Sequence, residues 1–223
     1  FQKNTFDNLN KNIILLQSMF AVTFTANRDS RWLYEILQFL YRHIEELNDQ
    51  KFGDYFKKFL EKMAVTYAEE RLFTEDRRIK KYGAIPVYAF NFVDYVLWKN
   101  RAELEKEYKD INFDNFKFAY RRSIEHWYPQ NPNGHDGESK LSAEFLHSFG
   151  NLCIITDSQN SRFGNSYPEA KLKQWEEEGI FPRQSLKLQM MAAITKKNDK
   201  WGICEIKSME KEVERYVHDF CDS

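Results

Sequence analysis

The sequence is poor in cysteine and in long apolar runs, and each shortage excludes a class of protein. Its three cysteines, Cys153, Cys204 and Cys221, lie far apart and form no CxxC pair. We therefore expect a reducing, cytoplasmic setting, without a disulfide framework or a cysteine zinc site. No apolar run approaches the roughly 18 residues that a membrane-spanning helix needs, so we expect no membrane association. The chain also lacks a Walker loop and a GxGxxG motif, so nothing in it predicts a nucleotide cofactor.

Net charge is also small, at -1 from 33 basic and 34 acidic side chains. Without an overall positive charge, any contact with nucleic acid must come from a local patch. Hydrophobic residues make up 42% and aromatic residues 16% of the 223, which allows a core for one large domain or two small ones. Because the chain begins at Phe1 without Met and enters a helical pattern at once, we expect it to be part of a longer protein.

Apolar residues recur at helical spacing through the first half of the chain, which predicts a helical bundle. Three stripes of this kind cover residues 6–20, 33–47 and 55–67. We interpret their aromatic side chains as packed core rather than as the lining of a ligand pocket. A long helix is predicted from about Pro86 to Tyr108, with a highly charged second half.

The pattern changes after residue 112, and we divide the chain there into a helical domain (1–112) and a site-bearing domain (113–223). Residues 116–122 alternate apolar and polar side chains, which predicts a strand that leads to His126, with an all-helical connection as the alternative. Residues 152–156 form a compact apolar run that is typical of a buried strand. The predicted fold is mainly α with a small β-hairpin: a helical bundle, then a strand–turn–strand–helix unit, then C-terminal helices.

The segments around the two predicted strands carry clear loop and helix markers. Residues 129–139 hold two Pro and two Gly, which predicts a loop. After the second strand, Asp157 or Ser158 is predicted to cap a helix that begins near Asn160. Pro168 is predicted to open the next helix, because proline favours the first helical turn.

The residues around the hairpin suit the hydrolysis of a phosphodiester. In that reaction a His can take the proton of the attacking water, and here His126 is the candidate. A hard divalent cation prefers oxygen ligands and retains several waters, so the carboxylate of Glu125 and the amide of Asn160 would suffice to hold it. Asn151, which follows Gly150, is predicted to brace the loop that holds the His by hydrogen-bonding to its backbone.

Basic side chains near this hairpin are candidates for holding neighbouring phosphates of DNA. We expect Arg121, Arg122, Arg162 and Lys171 to make such contacts. His147 lies close to Gly150-Asn151 and is a further candidate for contact with substrate, although a structural role is about equally compatible with the sequence.

The order and spacing of these residues resemble the HNH (ββα-metal, His-Me finger) nucleases. More closely, the stretch resembles the C-terminal nuclease domain of GmrSD-type, modification-dependent restriction endonucleases. The matching positions are Ile124-Glu125-His126-Trp127-Tyr128-Pro129-Gln130, Gly150-Asn151-Leu152, Asn160 and Lys171. The matching motif covers about 50 residues, and the helices on either side carry no diagnostic motif.

The resemblance implies a ββα-metal unit with a specific role for each matching residue. It implies that His126 is the general base, that Glu125 and Asn160 are ligands of Mg²⁺ (or Mn²⁺), and that Asn151 is the middle Asn of the HNH pattern. The last position of that pattern is Asn rather than His, and an amide oxygen can also bind Mg²⁺. Trp127 departs from the aliphatic residue that is more common after the His, and it would either narrow the site or pack against a helix.

The resemblance also implies a DNA substrate and a role in restriction of phage DNA. Family members usually carry an N-terminal ParB-like nucleotide-hydrolysing domain, which this sequence lacks. A missing domain of that kind agrees with the expectation of a longer protein. Target choice and oligomeric state do not follow from the sequence.

Three other interpretations stay open at this point. The same fold can serve as a regulatory module that binds DNA or a protein without cleaving. A zinc site built from His126, His135 and His147 is a second possibility, although their spacing matches no structural zinc pattern. Taken alone, each residue also has a structural explanation, since a His near a strand end is usually a satisfied structural residue and His135 is an ordinary loop residue.

Overall fold

The computed structural model describes residues 6–25, 29–47, 49, 51–132, 140–179 and 185–223. Over these residues the chain is mainly helical, with ten α-helices and one two-stranded antiparallel sheet. The predicted fold class, mainly α with a small β-hairpin, is therefore confirmed. His135 lies outside the described residues.

The helices and strands are labelled in chain order. The helices before the sheet are α1 (Asn10–Thr23), α2 (Arg31–Arg42), α3 (Phe52–Arg71), α4 (Val87–Lys99) and α5 (Arg101–Leu104). The elements of the site-bearing part are β1 (Ser123–His126), α6 (Ala143–Leu146), β2 (Leu152–Ile155), α7 (Asp157–Phe163) and α8 (Pro168–Glu178). The last two helices are α9 (Leu186–Asn198) and α10 (Ile203–Cys221).

Helix α4 forms the centre of the molecule. Residues 88–98 are all buried, and the helix contacts α1, α3, α9, α10 and β2. A helix that is buried around its whole circumference needs other elements to cover every side. Its contact with β2 places the sheet directly on this central helix.

The stripe over residues 6–20 and most of the stripe over 55–67 pack in the core, as predicted. The stripe over 33–47 does not, because Leu33, Leu37, Ile44 and Leu47 are exposed, and so is Tyr55. Phe20 of α1 and Phe56 and Tyr67 of α3 are all buried. The rings of Phe20 and Tyr67 meet edge to face with their centroids 5.4 Å apart, a favourable aromatic arrangement. One cluster of buried apolar side chains extends from α1 to α10 across residue 112, so the division into two domains at that point remains an interpretation.

The predicted helix from Pro86 to Tyr108 is interrupted at Asn100. Helix α4 ends at Lys99, and α5 is a single turn. The side-chain amide of Asn100 donates to the carbonyl of Val96 at 2.9 Å. It thereby satisfies one of the carbonyls that have no partner within the helix at its C-terminal end. In the charged half, every acidic and basic side chain from Glu103 to Lys109 is exposed, while the uncharged Leu104 and Tyr108 are buried.

The predicted strand over residues 116–122 is wrong, since β1 covers only Ser123–His126. The partner strand β2 has four residues, and its last residue, Ile155, pairs with Ser123. Residues 116–122 therefore have no strand to pair with among the described residues. An alternating pattern alone does not form a strand without a partner of equal length.

The cap of α7 also differs from the prediction, because Thr156 occupies the N-cap position instead of Asp157 or Ser158. Its hydroxyl accepts from the Gln159 N–H at 3.3 Å, and the Gln159 side chain accepts from the Thr156 N–H at 3.0 Å. This reciprocal capping box satisfies two backbone donors at once. Pro168 opens α8, as predicted.

Candidate active site

The sheet and α7 form a strand–turn–strand–helix unit in the predicted order. β1 and β2 pair antiparallel, with Ser123 opposite Ile155 and His126 opposite Leu152. Helix α7 begins two residues after β2 ends and contacts β1. His126 therefore ends the first strand, and Asn160 lies on the helix that follows the second.

Asn151 lies fully buried in a turn of 3₁₀ helix just before β2. Its side-chain oxygen accepts from the Tyr128 N–H at 2.8 Å and from the Trp201 indole at 3.1 Å. Its amide nitrogen donates to the carbonyls of Tyr128 at 3.1 Å and Leu146 at 3.0 Å. The side chain thus makes all four hydrogen bonds open to an amide, and it fixes the backbone two residues after His126, where a bracing contact was expected.

His126 lies in an environment that favours its neutral form. The residue is only 3% exposed, and its Nε2 lies 3.0 Å from Nδ1 of His147. The ring of Tyr82 meets it edge-on at a centroid distance of 4.5 Å. Burial, followed by the neighbouring His147 and Lys171, lowers the pKa of His126 to about 4. A His that is neutral near pH 7 has a ring nitrogen able to accept a proton.

Glu125 is paired with a buried lysine. The Lys171 Nζ lies 2.7 Å from Oε1 of Glu125 and also donates to the carbonyls of His126 at 2.9 Å and Trp127 at 3.0 Å. Burial raises the pKa of Glu125, and the charge of Lys171 opposes that rise. Because a carboxylate has two oxygens with about four lone pairs, the ion pair at Oε1 leaves Oε2 for another partner.

Asn160 offers a second oxygen on the helix next to β1. Asn160 is half-buried. Its backbone N–H donates to the Thr156 carbonyl at 3.0 Å, and its side chain makes no hydrogen bond to any described residue. The donor set of Glu125 and Asn160 is a carboxylate and an amide oxygen, which is the kind that Mg²⁺ takes together with several waters. These residues fit a magnesium ion in the type of donor they provide.

A zinc site has no support in the described ranges, where no group of three His, Cys, Asp or Glu side chains is placed to hold a metal ion. His126 and His147 are adjacent, and the third residue of that interpretation, His135, lies outside those ranges.

The expectation that Arg121 contacts DNA is wrong, because the residue is 2% exposed. Its guanidinium lies 3.2 Å from the Asp94 carboxylate and donates to the Asn91 side chain at 2.9 Å. Both partners are on α4. Arg121 therefore ties the segment before β1 to the central helix and has no path to a phosphate.

The expectation for Lys171 is wrong for a similar reason. Its side chain is fully buried, and its three N–H groups are taken by one carboxylate and two carbonyls. Arg122 and Arg162 do lie on the surface, each in an exposed ion pair, with Asp157 at 2.8 Å and Glu178 at 3.4 Å respectively. Both side chains are exposed, so contact with DNA stays a prediction for these two arginines.

Trp127 packs against helices rather than narrowing the site. The residue is 1% exposed, and its ring stacks on Trp175 of α8 with centroids 5.3 Å apart. Its indole N–H donates to the Thr195 hydroxyl of α9 at 3.0 Å. The departure from an aliphatic residue at this position is accommodated in the core.

Three residues that contribute to the site were missed in the sequence. Tyr82 lies over the histidine pair, and Trp201 is a partner of Asn151. Lys187 is buried, and its ammonium donates to the carbonyls of Phe149 and Leu152 on either side of the Asn151 turn. All three are distant in the chain from the motif, and no spacing pattern connects them to it.

The family model of the C-terminal domain of GmrSD restriction endonucleases matches residues 74–213 of the sequence. The chain belongs to this family. The matched region of the GmrSD C-terminal domain contains β1, β2 and α7 with every candidate site residue, as well as Tyr82, Lys187 and Trp201. No curated protein and no solved structure matches the chain.

Membership in the GmrSD family supports a nuclease role of the restriction-endonuclease type and, with it, a DNA substrate. It confirms the resemblance drawn from the motif around His126. Within the described parts of the chain, no helix has both the length and the apolar character needed to cross a membrane.

Proposed function

We propose that this GmrSD C-terminal domain is a metal-dependent DNA endonuclease of the HNH type, which hydrolyses phosphodiester bonds with His126 as the general base. The observation that carries the proposal is a buried His at the end of β1, next to the carboxylate of Glu125 and in a loop braced by Asn151. The family match adds that domains of this kind belong to restriction endonucleases.

His126 would take the proton of the attacking water. A general base must be unprotonated at the working pH, and burial keeps the pKa of His126 low enough for that. Its position is defined by the backbone, because the hydrogen bonds of Asn151 hold Tyr128 and those of Lys171 hold the carbonyls of His126 and Trp127. A base that is held in place reacts without the cost of first being oriented.

Glu125 and Asn160 would hold one divalent cation, Mg²⁺ or Mn²⁺. When bound, such a cation neutralises charge on the phosphate and on the leaving oxygen. The ion pair with Lys171 would orient the Glu125 carboxylate toward this task, much as hydrogen-bonded neighbours orient metal ligands in general.

Exposed side chains around the unit would hold DNA. Arg122 is 65% exposed and Arg162 is 55% exposed, and their ion pairs with carboxylates are of the weak surface kind that phosphates can replace. His147 is a candidate for substrate contact from the sequence, and in the structure its ring faces His126. With a net charge of -1 for the chain, a local patch of this kind must supply the attraction.

We further propose that the domain acts within a larger, cytoplasmic restriction protein that defends against phage. In that setting it would act together with an N-terminal ParB-like nucleotide-hydrolysing domain of the same protein. This part of the proposal is supported by the family alone.

A non-cleaving module that binds DNA or a protein is the alternative function. It is less well supported, because a binding module has no need of a buried His beside an ion pair with a fully buried lysine, and buried polar groups of this kind are costly to keep.

Supercoiled plasmid, incubated with the purified chain with and without Mg²⁺ or Mn²⁺, distinguishes the two functions. We expect metal-dependent nicking that His126→Ala abolishes and that His43→Ala, a substitution on a distant helix end, leaves intact. If the chain binds DNA but never nicks, either alone or joined to its N-terminal partner domain, the endonuclease proposal is wrong and the binding module is supported.

A further inference from the structure

His126 and His147 form a directly hydrogen-bonded pair. Their facing nitrogens, Nε2 of His126 and Nδ1 of His147, are 3.0 Å apart, and the two rings are inclined by 72°. A hydrogen bond between two neutral imidazoles requires one nitrogen to donate and the other to accept. The direction of this hydrogen bond therefore determines which nitrogen of each ring carries its hydrogen.

The ring of His147 is held in place by its surroundings. Tyr82 stacks on it at 18° with centroids 5.5 Å apart, and the Tyr82 N–H donates to the His147 carbonyl at 3.0 Å. The preceding carbonyl, of Leu146, accepts from Asn151. His147 is thus fixed through both its ring and its backbone, which is what a residue needs in order to orient a neighbour.

The two possible directions of the hydrogen bond have different consequences for His126. If His147 donates, Nε2 of His126 accepts, and the hydrogen of the His126 ring is on Nδ1. If His126 donates from Nε2, its Nδ1 has a free lone pair. Nδ1 of His126 makes no hydrogen bond to any described residue, so only the second direction leaves a nitrogen that can receive a proton from water.

We propose that His147 is a positioning residue for His126: its Nδ1 accepts the Nε2–H of His126 and holds that ring in the tautomer whose Nδ1 is free. The role rests on the proposed function of His126 as the general base. It gives His147 a task inside the protein instead of a contact with DNA.

Two substitutions of nearly equal shape separate this role from simple packing. In His147→Asn, the amide oxygen occupies the same place along the side chain as Nδ1 and can still accept. In His147→Leu, a methyl group stands there and cannot accept. Comparison of the two variants therefore isolates the acceptor, and thermal unfolding of both confirms that each is folded.

Two readouts are needed, both at one pH near 7.5. The first is the rate of Mg²⁺-dependent plasmid nicking, separated into kcat and KM. The second is the ¹⁵N chemical shift of the His126 ring nitrogens in histidine-labelled protein without metal or DNA, assigned by comparison with His126→Ala. The second readout requires no cleavage and reports the tautomer directly.

For the unsubstituted chain we expect His126 to carry its hydrogen on Nε2. His147→Asn should keep this tautomer and most of the nicking rate. His147→Leu should mix the two tautomers and lower kcat by about 10–100-fold, the usual effect of losing an orienting partner, with KM changed by less than about threefold since no binding contact is lost.

Three results would overturn the proposal: a His126 hydrogen on Nδ1 in the unsubstituted chain, an unchanged kcat in His147→Leu, or a raised KM with kcat unchanged, which indicates a DNA contact instead. If no variant nicks DNA, the tautomer still decides. A loss of the Nε2–H form in His147→Leu but not in His147→Asn supports the positioning role, and in that case only the proposed nuclease function has failed.

Discussion

The ammonium group of Lys171 lies 2.7 Å from the Glu125 carboxylate and has no exposure to solvent. The same group holds the carbonyls of His126 and Trp127. The motif suggested that Lys171 contacts DNA, but its charge lies inside the protein. There it neutralises the Glu125 carboxylate and fixes the end of the strand that carries His126.

Substitution Lys171→Met should destabilise the fold strongly. It leaves the Glu125 carboxylate, whose side chain is 13% exposed, without its partner. Breaking a largely buried pair from one side costs roughly 3 kcal/mol in free energy of unfolding. Urea denaturation measures this, with Lys173→Met on the exposed face of the same helix as the control. A loss equal to that of the control would show that the pair contributes nothing. Glu125→Gln added to Lys171→Met should recover part of the stability.

Substitution Gly150→Ala should also destabilise the fold, by roughly 1–3 kcal/mol, the usual cost of overpacking. A Cβ at this position would lie against the backbone carbonyl of Ile206 and only 3.0 Å from the Glu210 Cβ, both on α10. The backbone of a packed helix cannot yield as a flexible side chain can. Gly202→Ala is the matched control, because its Cβ would meet only the Glu205 carboxylate at 3.7 Å, and equal thermal stability of the two variants would contradict the prediction.

The buried Lys187 predicts a pH dependence of stability. Burial lowers the pKa of its ammonium from 10.5 to about 8. Below pH 8 both the folded and the unfolded chain carry this proton, whereas between pH 8 and 10.5 the unfolded chain binds more protons, so stability rises with pH. Relative to Lys187→Met, the unsubstituted chain should gain about 2 kcal/mol between pH 7 and pH 10.

Urea denaturation of both proteins at the two pH values tests this difference. The other titrating groups are common to the pair and largely cancel. If the difference in free energy of unfolding between the two proteins is constant or falls with pH, burial does not lower the pKa of Lys187 and the prediction is wrong.

Substitution Arg122→Gln should weaken DNA binding without harming the fold, because the side chain is exposed and its ion pair with Asp157 is on the surface. If Arg122 neutralises one phosphate, the slope of log affinity against log salt should fall by about 0.9. Fluorescence anisotropy over a salt series measures that slope. Arg215→Gln on α10, also in an exposed ion pair, should leave the slope unchanged, and an equal effect of both would indicate general attraction only.

The local patterns in the sequence predicted the elements and the motif but not the direction in which side chains point. The strand end at His126 and the helix start at Pro168 follow from local chemistry that the sequence displays. Arg121 and Arg122 are adjacent in the sequence and chemically identical, yet Arg121 is buried against Asp94 and Arg122 is exposed. That choice depends on the path of residues 116–122 over α4, which no local pattern encodes.

The contacts that complete the site come from distant parts of the chain. Trp201 reaches Asn151, and Tyr82 covers His147, only because the helices fold back around β2. Lys187 lies in an ordinary helical pattern, and its burial follows from its position over the Asn151 turn. Such roles depend on tertiary packing, so single-sequence patterns do not contain them.

The burial of α4 on all sides sets a lower limit on any minimal fragment of this domain. The family match begins at residue 74, yet α4 is covered on one side by earlier residues: Tyr88 donates to the Ala64 carbonyl at 2.7 Å and Asn91 to the Thr23 hydroxyl at 2.8 Å. A fragment trimmed to the matched residues would present an aromatic helix face to water and should aggregate. Helices α1 and α3, from the first seventy residues, shield this face of α4 from water. They therefore belong to the smallest unit in which the site can fold.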